Sequence, residues 1–292
     1  MSVVLRSVGV LAVAVLVLAG CAKPPEMRES LLGTASIDSL TTGATAPRAT
    51  FRSSYQPMPG IANAQLSGRT VTVGATEQIV LRPGEVVLTF DDGPRPGTTD
   101  SILATLDQFG VKATFLMLGS SAERHPALVR KVAEHGHTIG THTYDHVDLS
   151  KLDLPEAVAE IYAGQQAVAA ALAPAERAPS RFFRFPYLAQ TGLIRTSAVD
   201  SRFIVLDVDI DSKDYYKETA EQVLERTLAR LDARGGGIIL FHDIHLRTAE
   251  LLPEFLTALR ERNYSVVGLR STGGGVFDMP VVIAEGPSAD LI

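Results

Sequence analysis

From residue 85 onward, short apolar runs alternate with longer stretches that read as helices. Residues 85–88 (Glu85-Val86-Val87-Leu88) form an apolar run of the kind a buried strand shows, and Gly93-Pro94 then turns the chain. Strands are also expected over 111–119, 138–141, 182–183, 203–208, 237–241 and 265–269. Helices are expected over 126–135, 154–172, 219–233 and 249–262; Val158, Ile161 and Val168 mark one apolar face of the second, and Pro126 suits a first helical turn. Strand alternating with helix calls for parallel strands joined by crossover helices. About seven such strands fit a distorted barrel better than an open sheet, and barrels of this kind gather their chemistry at the C-terminal strand ends.

Outside 84–270 the pattern changes. Residues 69–73 and 78–81, around Gly74-Ala75-Thr76, predict a β-hairpin over 66–83. Residues 21–65 are rich in Ser, Thr, Ala, Gly and Pro without a sustained period, as in a flexible tether, and 271–292 form a tail. Near the start, Arg6 precedes an apolar run over 8–17 that is too short to span a bilayer. Leu18-Ala19-Gly20-Cys21 follows and resembles the bacterial lipobox. That resemblance implies a signal peptide over 1–20 and lipidation of Cys21. The protein is then expected in a bacterial cell envelope, facing the periplasm or on the outer membrane, held by acyl chains rather than a span.

Composition adds two exclusions. Cys21 is the only cysteine, so the core must hold the fold without a disulfide. The formal net charge of −6 over 292 residues offers no basic surplus to attract nucleic acid.

Five stretches carry candidate chemistry. Asp91 and Asp92 stand side by side where a buried strand ends, so one carboxylate can ligate a metal while the other moves a proton. His142 and His146 are four apart, which on a helical turn would put both imidazoles on one side. With Asp92 they make a His-His-Asp set that leaves coordination positions open. Arg184 follows a strand; it could pair with a surface acid or hold Asp91 ionised and oriented. Asp211-Ser212-Lys213-Asp214-Tyr215 could be a solvated polar loop. His242 ends the run Ile239-Leu240-Phe241, where an imidazole can hydrogen-bond at the core edge or donate a proton. His245 reads as a surface residue.

In this order the five stretches resemble the motifs of the NodB-type polysaccharide deacetylases, carbohydrate esterase family 4, over roughly residues 84–270. The resemblance implies an α/β fold, a distorted (β/α)7-type barrel, and metal-dependent removal of N-acetyl groups from an N-acetylglucosamine-containing glycan. It implies Asp91 as catalytic base, and Asp92, His142 and His146 as metal ligands. It further implies Arg184 as the residue orienting the base, the Tyr187 main-chain N–H as an oxyanion donor, and Asp214 as the acid that tunes the catalytic His242. Ile239 and Leu240 would line the acetyl pocket, and Tyr215 stands where the family often has Trp. The ligand types favour Zn2+ and leave Co2+, Ni2+ and Mn2+ open. Three other readings compete: an O-deacetylase of an acetylated xylan-like polymer, an inactive sugar-binding envelope lipoprotein, and an envelope structural protein whose barrel only displays loops and leaves the metal set unexplained.

Overall fold

The structure, a computed structural model, describes residues 66–273; Cys21, the tether and nearly all of the tail lie outside the described residues. The elements run β1 (Ser67–Val73), β2 (Glu85–Asp91), α1 (Thr98–Phe109), β3 (Thr114–Met117), α2 (Gly119–Arg124), α3 (Pro126–Glu134), β4 (Thr138–Thr141), α4 (Leu154–Leu172), β5 (Phe182–Phe183), α5 (Gly192–Asp200), β6 (Ile204–Val205), β7 (Ile210–Asp211), α6 (Ala220–Arg234), β8 (Gly237–His242), α7 (Leu246–Glu261) and β9 (Ser265–Ser271). Local sequence explains several boundaries. Asp153 and Glu156 form a reciprocal capping box at the start of α4, and Thr219 with Gln222 does the same for α6. Gly235 ends α6 in the left-handed conformation (φ 85°).

The strands form one all-parallel sheet. β2 pairs with β3 on one side and β8 on the other; β3, β4, β5 and β6 continue in order, and β7 pairs with β8. These seven strands curl into a barrel-like α/β fold. No pairing joins β6 to β7 among the described residues, so the ladder stays open there.

β2 is buried along its whole length, so its two faces feed two apolar clusters. Val86, Leu88 and Phe90 join the cluster built with the helices, including Ile102, Leu252 and Phe255. Val87 joins a second cluster with Leu116, Phe182, Ile204, Leu206 and Ile238. The alternation also aims Thr89 and Asp91 into the ring of strands, and both are buried there.

The hairpin expected over 66–83 does not form. β1 instead pairs in parallel with β9, from Thr70 opposite Gly268 to Val73 opposite Ser271. Residues 76–78 make a single 3-10 turn, and Ile79 and Leu81 pack against the second cluster. A hairpin partner for β1 would leave the edge of β9 open. The parallel pairing instead buries Val71 and Val73 against Val267 and Leu269. The strand expected over 111–119 is shorter, because α2 begins at Gly119.

Candidate active site

Parallel strands place their C-terminal ends at one mouth, and the candidate residues collect there. Asp91 ends β2 directly opposite His242, which ends β8. His142 follows β4, Arg184 follows β5, and Asp211 ends β7.

Arg184 is the largest fully buried side chain among the described residues. Its Nη1 donates to Asp91 Oδ1 at 2.8 Å and to Thr89 Oγ1 at 2.8 Å, and its Nε donates to the Leu206 carbonyl at 3.0 Å. The guanidinium therefore fixes the Asp91 carboxyl in the interior. Burial nevertheless raises the Asp91 pKa, outweighing the pull of Arg184 and His242.

Asp92 adopts a left-handed φ of 74°, a conformation Asp tolerates better than most residues. Its Oδ1 lies 3.5 Å from His142 Nε2 and 3.4 Å from His146 Nε2. His142 Nδ1 donates to the Arg184 carbonyl at 2.8 Å, which leaves the Nε2 lone pair facing the carboxylate. Burial pushes the His142 pKa down to about 3, so the imidazole is neutral. Asp92 Oδ1 is buried without a hydrogen-bond partner. A carboxylate oxygen facing an imidazole lone pair repels it unless a cation lies between them. Ligand atoms ~2.0–2.1 Å from a tetrahedral ion stand ~3.3 Å apart, close to the spacings here. Asp92, His142 and His146 thus fit a divalent ion, and they are the one such cluster among the described residues.

Asp214 is completely buried behind His242. Its Oδ1 lies 2.7 Å from His242 Nδ1; its Oδ2 accepts the His242 main-chain N–H at 2.7 Å and the Thr248 hydroxyl at 2.6 Å. Burial opposes the Asp214 charge, but these bonds and the His242 charge prevail and hold its pKa low. Burial likewise opposes a charged His242, yet the bond to Asp214 and the charges of Asp214, Asp91 and Asp92 raise its pKa to about 9.

Asp91, Asp92, His142, His146 and His242 face a hollow of about 360 Å³, walled by Phe185, Tyr187, Leu188, Asp211, Tyr215 and Leu240. A hollow of about 490 Å³ around Gly235, Gly236 and Gly237 lies at the opposite strand ends and holds no His ligand.

Comparison with known proteins places the chain in a family. The family described as Polysaccharide deacetylase matches residues 80–203. The chitooligosaccharide deacetylase of Bradyrhizobium sp. (strain ANU 289) is 31% identical over 158 residues, which cover 54% of this chain and 70% of that protein. The chain belongs to the polysaccharide deacetylase family, carbohydrate esterase family 4. The peptidoglycan-N-acetylglucosamine deacetylase PgdA of Listeria monocytogenes is 35% identical over 188 residues, 62% of this chain and 37% of PgdA, so this family member spans little more than a third of that relative's length. The peptidoglycan deacetylase Bd3279 of Bdellovibrio bacteriovorus superposes with a TM-score of 0.61 at 36% identity, covering 76% of this chain and 61% of that one.

In this family member the structure brings together Asp91, Asp92, His142, His146, Arg184, Tyr187, Asp214, Tyr215, Leu240 and His242. Ile239 is not among the lining residues. It is fully buried in the cluster shared with the helices, because successive residues of β8 face opposite ways and Leu240 takes the inward position. The two histidines do not share a helical turn. They flank an irregular loop in which Thr143 (φ 69°) and His146 (φ 60°) are left-handed. His245 is not a plain surface residue: it is half-buried, its ring 5.8 Å from that of His242.

Several supporting residues escaped the sequence reading. Thr89 could have been found by alternation, two residues before Asp91. Asp211, read from sequence only as the first residue of a polar stretch, closes the hollow and accepts from the Tyr215 hydroxyl at 3.0 Å. Thr248 lies 34 positions after Asp214 and carries no local signal.

Proposed function

We propose that this protein hydrolyses N-acetyl groups on an N-acetylglucosamine-containing glycan and releases acetate. The supporting observation is the convergence, in one hollow, of a His-His-Asp ligand set, an Arg-held buried carboxyl and an Asp-backed imidazole. The Listeria, Bradyrhizobium and Bdellovibrio relatives are deacetylases of peptidoglycan or chitooligosaccharide.

Asp92, His142 and His146 would hold a divalent ion, with Zn2+ the first choice. When bound, the ion supplies positive charge that polarises the acetamide carbonyl and acidifies water. Asp91 acts as base. Burial raises its proton affinity, and Arg184 occupies Oδ1, leaving Oδ2 to take the proton of the attacking water. The Tyr187 main-chain N–H helps hold the oxyanion as the carbonyl carbon becomes tetrahedral. His242 has Nδ1 committed to Asp214, so Nε2 delivers a proton to the amide nitrogen as the C–N bond breaks. An amine cannot leave as an anion, and an imidazole whose pKa the Asp214 carboxylate raises meets that need.

Acetate release from N-acetylated chitin oligomers and peptidoglycan, measured with and without chelator, tests the proposal. Asp91→Asn should lower turnover at least about 1,000-fold while zinc still binds. Wild-type turnover in that variant, or full activity after chelation, would refute it.

A further inference from the structure

His142 and His146 are held by different means. The His142 ring is tethered directly, through Nδ1 to the Arg184 carbonyl. The His146 ring makes no hydrogen bond through Nδ1 among the described residues; it touches the rings of His142 at 5.0 Å and Tyr187 at 4.5 Å. Tyr187 is itself largely exposed and so a weak brace. The place of His146 Nε2 beside Asp92 is therefore set mainly by the backbone between the histidines.

That backbone is irregular. Thr143 and His146 are both left-handed, a conformation unfavourable for residues with a Cβ, β-branched ones above all. Such a loop persists only if its surroundings hold it. Its carbonyls are taken by α2: Gly119 N–H donates to Thr143 O at 2.9 Å, and Ser120 N–H to Tyr144 O at 3.0 Å. His146 N–H donates to the Thr143 hydroxyl at 3.1 Å, and the two N–H groups between the histidines, those of Tyr144 and Asp145, are taken by one atom. Glu160 Oε1, reaching across from α4, accepts from Tyr144 N–H at 3.1 Å and Asp145 N–H at 2.6 Å. One turn further along α4, Gly164 lies so close to the loop that a Cβ there would be 2.4 Å from the Thr143 carbonyl.

We propose that Glu160 is a positioning residue for the ion site: by accepting the two consecutive N–H groups between the histidines, it fixes the loop that presents His146 to Asp92. The proposal rests on the reading of Asp92, His142 and His146 as ligands. Glu160 lies outside the five stretches that carry the family resemblance, and it touches neither the ion site nor the hollow. A purely structural loop cap would add stability without altering the affinity of the site. A positioning residue must alter affinity, because ligands displaced by even a fraction of an ångström cannot all reach the ion.

The test uses the full chain. Zinc affinity is measured by competition with a chromophoric chelator, and the visible spectrum of the cobalt-substituted protein reports ligand geometry. Glu160→Ala should weaken zinc about 10- to 100-fold and change the cobalt spectrum. Glu160→Gln keeps an oxygen in place for both N–H groups and should stay within about threefold of wild type with an unchanged spectrum. Should the Ala variant fail to fold, Glu160→Asp, one methylene too short to reach both N–H groups, should still weaken zinc about fivefold or more. Wild-type affinity in the Ala or Asp variant would overturn the proposal, as would equal weakening in Gln and Ala, which would trace the effect to charge. If the wild-type protein itself binds no zinc, the ligand reading falls and this inference with it. Zinc binding in the wild type that Glu160→Ala leaves intact sinks the inference alone.

Discussion

Asp214 and His242 make one unit: a buried carboxylate receives both the ring and the main chain of the same histidine. The His242 pKa of about 9 stands above the ~6.5 expected of an unfolded chain. The pair therefore stabilises the fold fully below ~6.5, once Asp214 is ionised, and that contribution fades as pH rises through about 9. Asp214→Asn should bring the His242 titration, followed by NMR in metal-free protein, down by at least ~1 unit. The variant should also lose relatively more turnover at pH 8 than at pH 6, because the proton donor is then depleted. An unmoved titration would show that the raised pKa has another source.

At the scale of elements, the turn after β2 and the end of β8 interlock. Asp243 is fully buried; its Oδ2 accepts from the Thr99 hydroxyl of α1 at 2.6 Å, and its N–H donates to the Asp91 carbonyl at 3.2 Å. Its carboxyl lies against Gly93, where an added Cβ would sit 2.1 Å from Oδ2. Gly93 is thus needed for close approach, immediately beside the ligand Asp92. Gly93→Ala should cost ~1–3 kcal/mol in urea denaturation, and clearly less in an Asp243→Ala background, where the collision partner is gone. An equal cost in both backgrounds would exclude the collision as its cause.

For the whole molecule, β1 covers a free edge. β9 pairs with β2 only at Glu85 and Val86, and most of its other side is paired to β1. Arg69 adds a two-pronged contact to Glu85, at 2.8 and 2.9 Å. A chain beginning at Gly74 exposes that edge and the apolar cluster under Val71 and Val73. Compared with a chain beginning at Leu66, it should melt at lower temperature and self-associate in light scattering. Equal melting temperatures and a monomeric shorter chain would show that β1 contributes nothing to the fold.

The alternation of strands and helices and the five polar stretches at strand ends were legible in the sequence. Both are local signals: apolar spacing over a few residues, and chemistry at the point where an apolar run stops. They were enough to place α4 and β4 at the positions the structure shows, and to single out Asp92, His142 and His146 as one set. The tertiary structure decided the rest. It chose Leu240 over Ile239 for the hollow, because the inward face of a strand buried on both sides shows only when its neighbours are in place. It paired β1 with β9 rather than with the residues that follow it. It set the backbone between the histidines, and it brought Glu160, Thr248 and Asp243 to support groups 15 to 144 positions away. Such contacts depend on the path of the whole chain, and a periodic signal shows which face of an element is apolar but not which distant group it will meet.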